Sequence, residues 1–81
     1  MANRLTVAQI RTLHKRCEKL ADHDTVDIAH HFSSGNLRLY YNTKDGEKLL
    51  PIKCVIYPNG NWDIRNRHRD APPIAKGEYG N

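Results

Sequence analysis

The sequence predicts an α+β fold, in which one N-terminal helix packs on a four-stranded antiparallel β-meander and an extended tail follows. Three observations lead to this prediction: an amphipathic segment behind a helix-capping motif, alternating apolar and polar residues within residues 25–66, and glycine-containing turns between the alternating segments. A chain of 81 residues supports one small domain with a single thin core. We therefore place the domain at residues 1–66 and the tail at residues 67–81.

The helix is predicted to run from about Val7 to Ala21. Thr6 and Gln9 have the spacing of a capping box, in which each residue's side chain bonds the other's backbone N–H. Most of the charged residues, Arg16 among them, fall outside the apolar stripe and give a basic outer face, which we interpret as solvated rather than bound to phosphate. The apolar stripe that should face the sheet repeats at steps of three and four: Val7, Ile10, Leu13, Cys17 and Leu20.

Residues 25–32 are compatible with two structures. Asp24 could cap a short helix that points Val26, Ala29 and Phe32 inward. The same residues could instead form a strand, because the segment opens with β-branched residues and keeps its alternation over four positions. We predict the strand.

The turns predict the register of the remaining strands. Closure of the last hairpin on Pro58-Asn59-Gly60 places Ile56 opposite Trp62 and Lys53 opposite Arg65. Pro58 suits the position that a type I turn assigns to proline and Gly60 suits the left-handed position, so this turn is the strongest local signal in the chain.

The two earlier connections require further assumptions. The hairpin around residues 43–46 keeps its apolar partners aligned only if a β-bulge at Leu50–Pro51 inserts one residue, which suits a proline because it lacks an N–H. The bulge places Arg38 opposite Lys53. A two-residue turn at Ser34–Gly35 then places His31 opposite Arg38.

These registers predict a cationic row, His31, Arg38, Lys53 and Arg65, on the sheet face that points away from the helix. Like charges directly opposite one another destabilise a sheet by up to about 1 kcal/mol per pair, so the row suggests a use. The use would be binding of an anionic chain, with cations on phosphates and tyrosines stacked on bases; the alternative is that the cations splay into water and protect the sheet. The candidate binding residues are His31, Arg38, Tyr40, Lys53, Tyr57 and Arg65, with Arg67 and Arg69 of the tail.

Composition and motifs narrow the class of function. The net charge of +4 is concentrated in the two ends of the chain, which favours an acidic partner. Cys17 and Cys54 form no CxxC pattern and are interpreted as small buried apolar residues, and His14 with Cys17 makes only a weak zinc pair. No phosphate loop or nucleophile motif is present, so no catalytic residue, metal or cofactor is predicted.

We therefore expect a non-enzymatic binding module that uses a basic sheet face to engage nucleic acid or a nucleoprotein assembly. One alternative is a small inhibitor of the virus or plasmid type, which would bind an acidic protein surface of a larger complex. A second alternative is a metal-independent ribonuclease of the toxin type, with His31 as general acid or base. The sequence contains no recognisable signal peptide or membrane-length apolar run, so we expect a cytoplasmic protein without a membrane partner.

Overall fold

The computed structural model describes residues 4–68 and 72–81, and it shows an α+β fold in which one short helix accompanies an antiparallel sheet. The strands are neighbours in chain order, so the sheet is the predicted meander, but it has five strands where four were predicted. The additional strand lies within residues 67–81 and pairs with the strand before it. The elements are α1 (Val7–Cys17), β1 (Asp27–His30), β2 (Leu37–Asp45), β3 (Lys48–Ile56), β4 (Trp62–Asn66) and β5 (Ala75–Gly77).

The start of α1 is as predicted and its end is not. The Thr6 hydroxyl accepts the Gln9 N–H at 3.0 Å, and the Gln9 side-chain oxygen accepts the Thr6 N–H at 2.9 Å, which completes the capping box. The helix ends at Cys17 and does not reach Ala21. The Asp24 carboxylate accepts the Ala21 N–H at 3.0 Å, so this donor is unavailable for a helical bond to Cys17.

The helix turns a polar face to the sheet, so the predicted apolar stripe is wrong in part. Val7 and Ile10 are 62% and 51% exposed, while Gln9, Thr12 and Arg16 are buried. Side-chain amide and hydroxyl groups explain this orientation, because they donate to main-chain carbonyls of the loops and strand ends beneath α1. The acceptors are Gly35 and Ile56 for the Gln9 amide, at 2.7 and 3.1 Å, and Gly60 for the Thr12 hydroxyl, at 2.7 Å.

The core lies between α1 and the facing side of the sheet, and the alternation of residues along each strand determines its membership. Half-buried side chains from the helix, its flanking segments and the sheet pack against the buried residues of the core: Leu5, Leu13, Val26, Tyr41 and Ile64. The buried set is Leu37, Leu39, Cys54, Ile56 and Trp62.

Cys54 is the buried titratable group of this core, and both cysteines are free thiols. Burial raises the pKa of Cys54 to about 12, and burial likewise raises the pKa of Tyr41 to about 12. A group with a higher pKa in the folded chain than in the unfolded chain stabilises the fold below its unfolded pKa, and this contribution is lost as pH rises toward the folded pKa. For Cys54 the window runs from pH 9 to about 12.

We expect the melting temperature to fall between pH 9 and pH 12 and to fall less in Cys54→Ala, which removes the buried thiol. Thermal unfolding followed by circular dichroism at closely spaced pH values measures both slopes. Cys17→Ala removes the half-buried thiol and is the matched control for the loss of one thiol. Identical slopes in Cys54→Ala and wild type would contradict the assignment.

The β3–β4 register is as predicted, with Ile56 opposite Trp62 and Lys53 opposite Arg65. The β2–β3 register is not. Its ladder runs without interruption from Leu37 opposite Ile56 to the hairpin end, so Arg38 faces Val55 and not Lys53. The hairpin closes on two residues, 46 and 47, and the first of them is a glycine with φ of 65°, as a type II′ turn requires.

The predicted bulge at Leu50–Pro51 is absent because Pro51 costs the β2–β3 ladder no hydrogen bond. Pro51 lies opposite Asn42, and its carbonyl accepts the Arg67 N–H at 3.0 Å. In an antiparallel strand the nitrogen and carbonyl of one residue point to the same side, so the nitrogen of Pro51 faces away from β2. The nitrogen therefore points toward β4. The β3–β4 ladder ends at the pair Ile52 and Asn66, so a backbone N–H at residue 51 is not needed to complete it.

Residues 25–32 contain the predicted strand, shortened to Asp27–His30. Ala29, and not His31, lies opposite Arg38. The predicted two-residue turn is replaced by a longer connection, in which the His31 N–H donates to the Asn36 carbonyl and the Gly35 N–H donates to the His31 carbonyl, both at 2.8 Å. His31 therefore belongs to the loop.

Within residues 4–68 and 72–81, no helix has both the length and the apolar character that crossing a membrane would require.

Candidate nucleic-acid interface

The side of the sheet that faces away from α1 carries most of the predicted binding residues, and we call it the basic face. Because side chains alternate along a strand, it receives every second residue of each strand. The error in the β2–β3 register is two residues, an even number, so it moves no side chain to the other face. The residues that define the basic face are Arg38 and Tyr40 on β2, Lys53 on β3 and Tyr57 just after it, Asp63 and Arg65 on β4, and Lys76 on β5.

One transverse row of the basic face joins Tyr40, Lys53 and Arg65 on neighbouring strands, with Asp27 of β1 at its end. Lys53 and Arg65 are thus directly opposite cations. Opposed like charges destabilise a sheet, and here an anion between them would remove that repulsion. This pair, flanked by a tyrosine, puts two cations side by side on the face, and one of them, Arg65, also bonds Asp63.

The neighbouring row corrects the predicted position of Arg38. Arg38 lies between Ala29 and Val55, and the row continues through Asp63 to Lys76. Arg38 is therefore displaced along the strands from the Lys53–Arg65 pair. The structure brings three of the four predicted row members onto one face but does not align them in a single row.

Asp63 organises one end of the basic face and was not assigned a role from the sequence. Asp63 is 5% exposed, and its carboxylate accepts two hydrogen bonds, from the Tyr57 hydroxyl at 2.5 Å and from Arg65 Nε at 3.1 Å. The bond to Asp63 raises the pKa of Tyr57, and the pKa of Arg65 is also raised, first by its bond to the same carboxylate. Asp63 thus holds the Tyr57 ring and the Arg65 guanidinium in defined positions. The sequence contains one signal for this contact: Asp63 precedes Arg65 by two residues, so the two side chains lie on the same face of the strand.

Arg67 reaches the basic face from the turn after β4. Its Nη2 donates to the Tyr41 carbonyl at 3.0 Å, and its guanidinium carbon lies 5.5 Å from the centroid of the Tyr40 ring. This separation is within the range of a cation–π interaction. Arg67, predicted as part of a basic tail, is therefore anchored beside Tyr40.

One predicted residue, His31, does not add to this arrangement. The ring of His31 bonds within its own loop, with Nδ1 at 2.6 Å from the Ser34 hydroxyl, and lies outside the ladder. Arg69 lies outside the described residues. Lys76 of β5 is a cation of the basic face that the sequence did not predict, because the strand that carries it was not predicted.

A cleft of about 810 Å³ opens beside the basic face at the β4–β5 end. Tyr57, Asp63, Arg65 and Lys76 line it, together with Pro73 and residues on the edge of the sheet. Its walls combine two aromatic residues, Tyr57 and Trp62, with cations, amides and the carboxylates of Asp63 and Glu78. Among the described residues, no group of three His, Cys, Asp or Glu side chains is arranged to hold a metal ion.

The fold and this face define a small α+β domain with one basic, tyrosine-bearing sheet surface. Comparison of the chain with protein-family models, with curated proteins and with solved structures finds no match in any of the three. We therefore infer the function from the residues of this surface.

Proposed function

We propose that the protein is a non-enzymatic module that binds single-stranded nucleic acid along the basic face. The observation that carries the proposal is the directly opposed pair of Lys53 and Arg65, with Tyr40 beside it in the same row. Cations that meet phosphates supply affinity, and exposed aromatic rings supply stacking surfaces for unpaired bases. On this surface two cations and a half-buried tyrosine occupy adjacent positions.

The spacing of the two tyrosines suits a strand that crosses the face. Tyr40 is one strand away from Lys53, and Tyr57 is four residues further along the chain, so strand geometry puts their Cα atoms roughly 14 Å apart. Two different bases of one strand would therefore reach the two rings, with the intervening phosphates near Lys53 and Arg65. Bases in a duplex are stacked on each other and do not offer their faces in this way.

Arg67 and Asp63 each contact one of the two tyrosines, and both contacts support the binding of a single strand. Arg67 lies near the Tyr40 ring, where a guanidinium can also meet a phosphate of the bound strand. Asp63 fixes the Tyr57 ring through its hydroxyl, so little side-chain entropy is lost when a base stacks there. Asp63 is itself buried and paired with Arg65, which reduces its repulsion of a phosphate.

An acidic protein surface of a larger complex is the competing partner, because carboxylates would also interact with these cations. The tyrosines favour nucleic acid, since stacking on bases uses their ring faces. Salt dependence and strand preference separate the two partners.

We expect the protein to bind a fluorescent single-stranded RNA or DNA oligonucleotide with an affinity that falls steeply as salt rises. Each phosphate contact on a single strand contributes about −0.7 to the slope of log K against log salt, so three or four contacts give roughly −2 to −3. Fluorescence anisotropy at four salt concentrations measures the slope, and a duplex of the same sequence is the control. Absent binding, or binding that ignores salt, would contradict the proposal and favour a protein partner.

A further inference from the structure

On the opposite side of the sheet, Arg16 is a buried cation that the fold leaves partly unsatisfied. It is 8% exposed, and its guanidinium carbon lies 3.9 Å from the centroid of the Trp62 ring. Its Nη2 donates a long hydrogen bond of 3.3 Å to the main-chain oxygen of Asn81, and its Nε is buried without a partner. None of the ion pairs among the described residues involves Arg16. Buried charges are usually paired with an opposite charge, since desolvation is costly.

Arg16 also lines a cavity of about 250 Å³ between the end of α1 and the sheet. Residues that follow α1, Lys19 and Leu20, form one side of the cavity, and Thr43 and Leu50 of the β2–β3 hairpin also line it. None of its lining residues is acidic, and most are apolar. Besides Arg16, its walls include Lys19, Leu20, Tyr41, Ile52, Ile64 and Ile74.

We propose that this cavity binds a small carboxylate with an apolar body. The apolar body would lie against the isoleucines, and the carboxylate would meet Arg16, whose Nε is buried without a partner among the described residues. A guanidinium and a carboxylate form charge-assisted hydrogen bonds, which are stronger than neutral ones. Burial raises the pKa of Tyr41 to about 12, so its hydroxyl remains a neutral donor at the wall of the cavity.

The size and position of the cavity define this ligand further. Its volume is just below the 300 to 1,000 Å³ typical of drug-sized ligand sites, so the ligand is smaller than these. The cavity lies on the helix side of the sheet, away from the basic face, and the inference is independent of nucleic-acid binding.

Isothermal titration calorimetry of the full chain with octanoate tests the proposal. We expect saturable binding of one octanoate per chain, and at least about tenfold weaker binding of acetate, which lacks the apolar body, and of 1-octanol, which lacks the charge. Equal binding of octanoate and 1-octanol would overturn the role of Arg16. The absence of octanoate binding at millimolar concentration would overturn the site.

Two variants locate the bound octanoate. Arg16→Met keeps an unbranched side chain in the core but removes the charge, and we expect it to stay folded and to bind octanoate at least about tenfold more weakly. Arg11→Met on the exposed side of α1 is the matched control and should bind as the wild type does. Ala75→Phe places a large ring at an exposed position that lines the cavity, and it should also weaken binding. Wild-type affinity in both folded cavity variants would overturn the proposal.

Discussion

Lys53→Glu is expected to weaken the binding of a single-stranded oligonucleotide by roughly tenfold or more at low salt. The substitution replaces a cation at the centre of the basic face with a carboxylate. Because residue 53 lies directly opposite Arg65, the new carboxylate can also pair with that guanidinium, so two phosphate partners are lost together. Anisotropy titration of wild type and variant with one oligonucleotide measures the ratio of dissociation constants.

Lys48→Glu is the matched control for this experiment. Lys48 lies on the same strand, is exposed, and differs from residue 53 by an odd number of positions, so it belongs to the other face near the hairpin end. Both variants change the net charge equally. A similar loss in both would show that total charge governs the binding, and the basic face would not be the site. The fold should tolerate Lys53→Glu because an opposed cation pair becomes an opposed ion pair.

Gln9→Leu is expected to lower the free energy of unfolding by about 2 to 5 kcal/mol. Gln9 is 1% exposed, and its side chain makes three hydrogen bonds to main-chain groups, at Thr6, Gly35 and Ile56. Leucine has a similar volume but can serve none of them, and an unsatisfied buried polar group costs about 1 to 3 kcal/mol. Since small domains have about 5 to 15 kcal/mol of stability in total, the variant should unfold at a much lower denaturant concentration.

His14→Leu makes the same polar-to-apolar change on the exposed face of α1, where the His14 side chain is 79% exposed. It should alter stability by no more than about 0.5 kcal/mol. Urea unfolding followed by tryptophan fluorescence compares the two variants, since Trp62 is the single tryptophan of the chain and lies in the core. A small loss in Gln9→Leu would mean that helix orientation does not depend on these bonds.

The prediction for α1 was correct where it depended on residues close in the chain and wrong where it depended on distant ones. Its start was predictable because Thr6 and Gln9 interact with each other within one turn, and the structure contains both bonds. Its orientation was not, since hydrophobic periodicity predicted that Val7 and Ile10 would be buried and Arg16 would lie outside. The carbonyls that draw Gln9 toward the sheet come from residues 26 and 47 positions away. Such partners are known only once the chain is folded.

The sheet, too, was predicted correctly where local pattern determines the structure and wrongly where it does not. Alternation determined which residues share a face, and the Pro58-Asn59-Gly60 turn determined which β3 and β4 residues are opposed, because a tight turn leaves one register available. The β2–β3 register was wrong because the effect of Pro51 depends on the side to which its nitrogen points.

By itself, the sequence determined the α+β class, the meander order, the start of α1 and which residues of β2, β3 and β4 belong to the basic face. These depend on interactions between residues that are close in the chain or on a period of two along a strand, and both are readable without coordinates. Only the tertiary structure decided that Lys53 and Arg65 stand beside Tyr40 with Arg38 in the next row, that Asp63 holds Tyr57, and that Arg16 is buried over Trp62. Each of these depends on contacts between separate elements, where long-range hydrogen bonds and packing outweigh local preference.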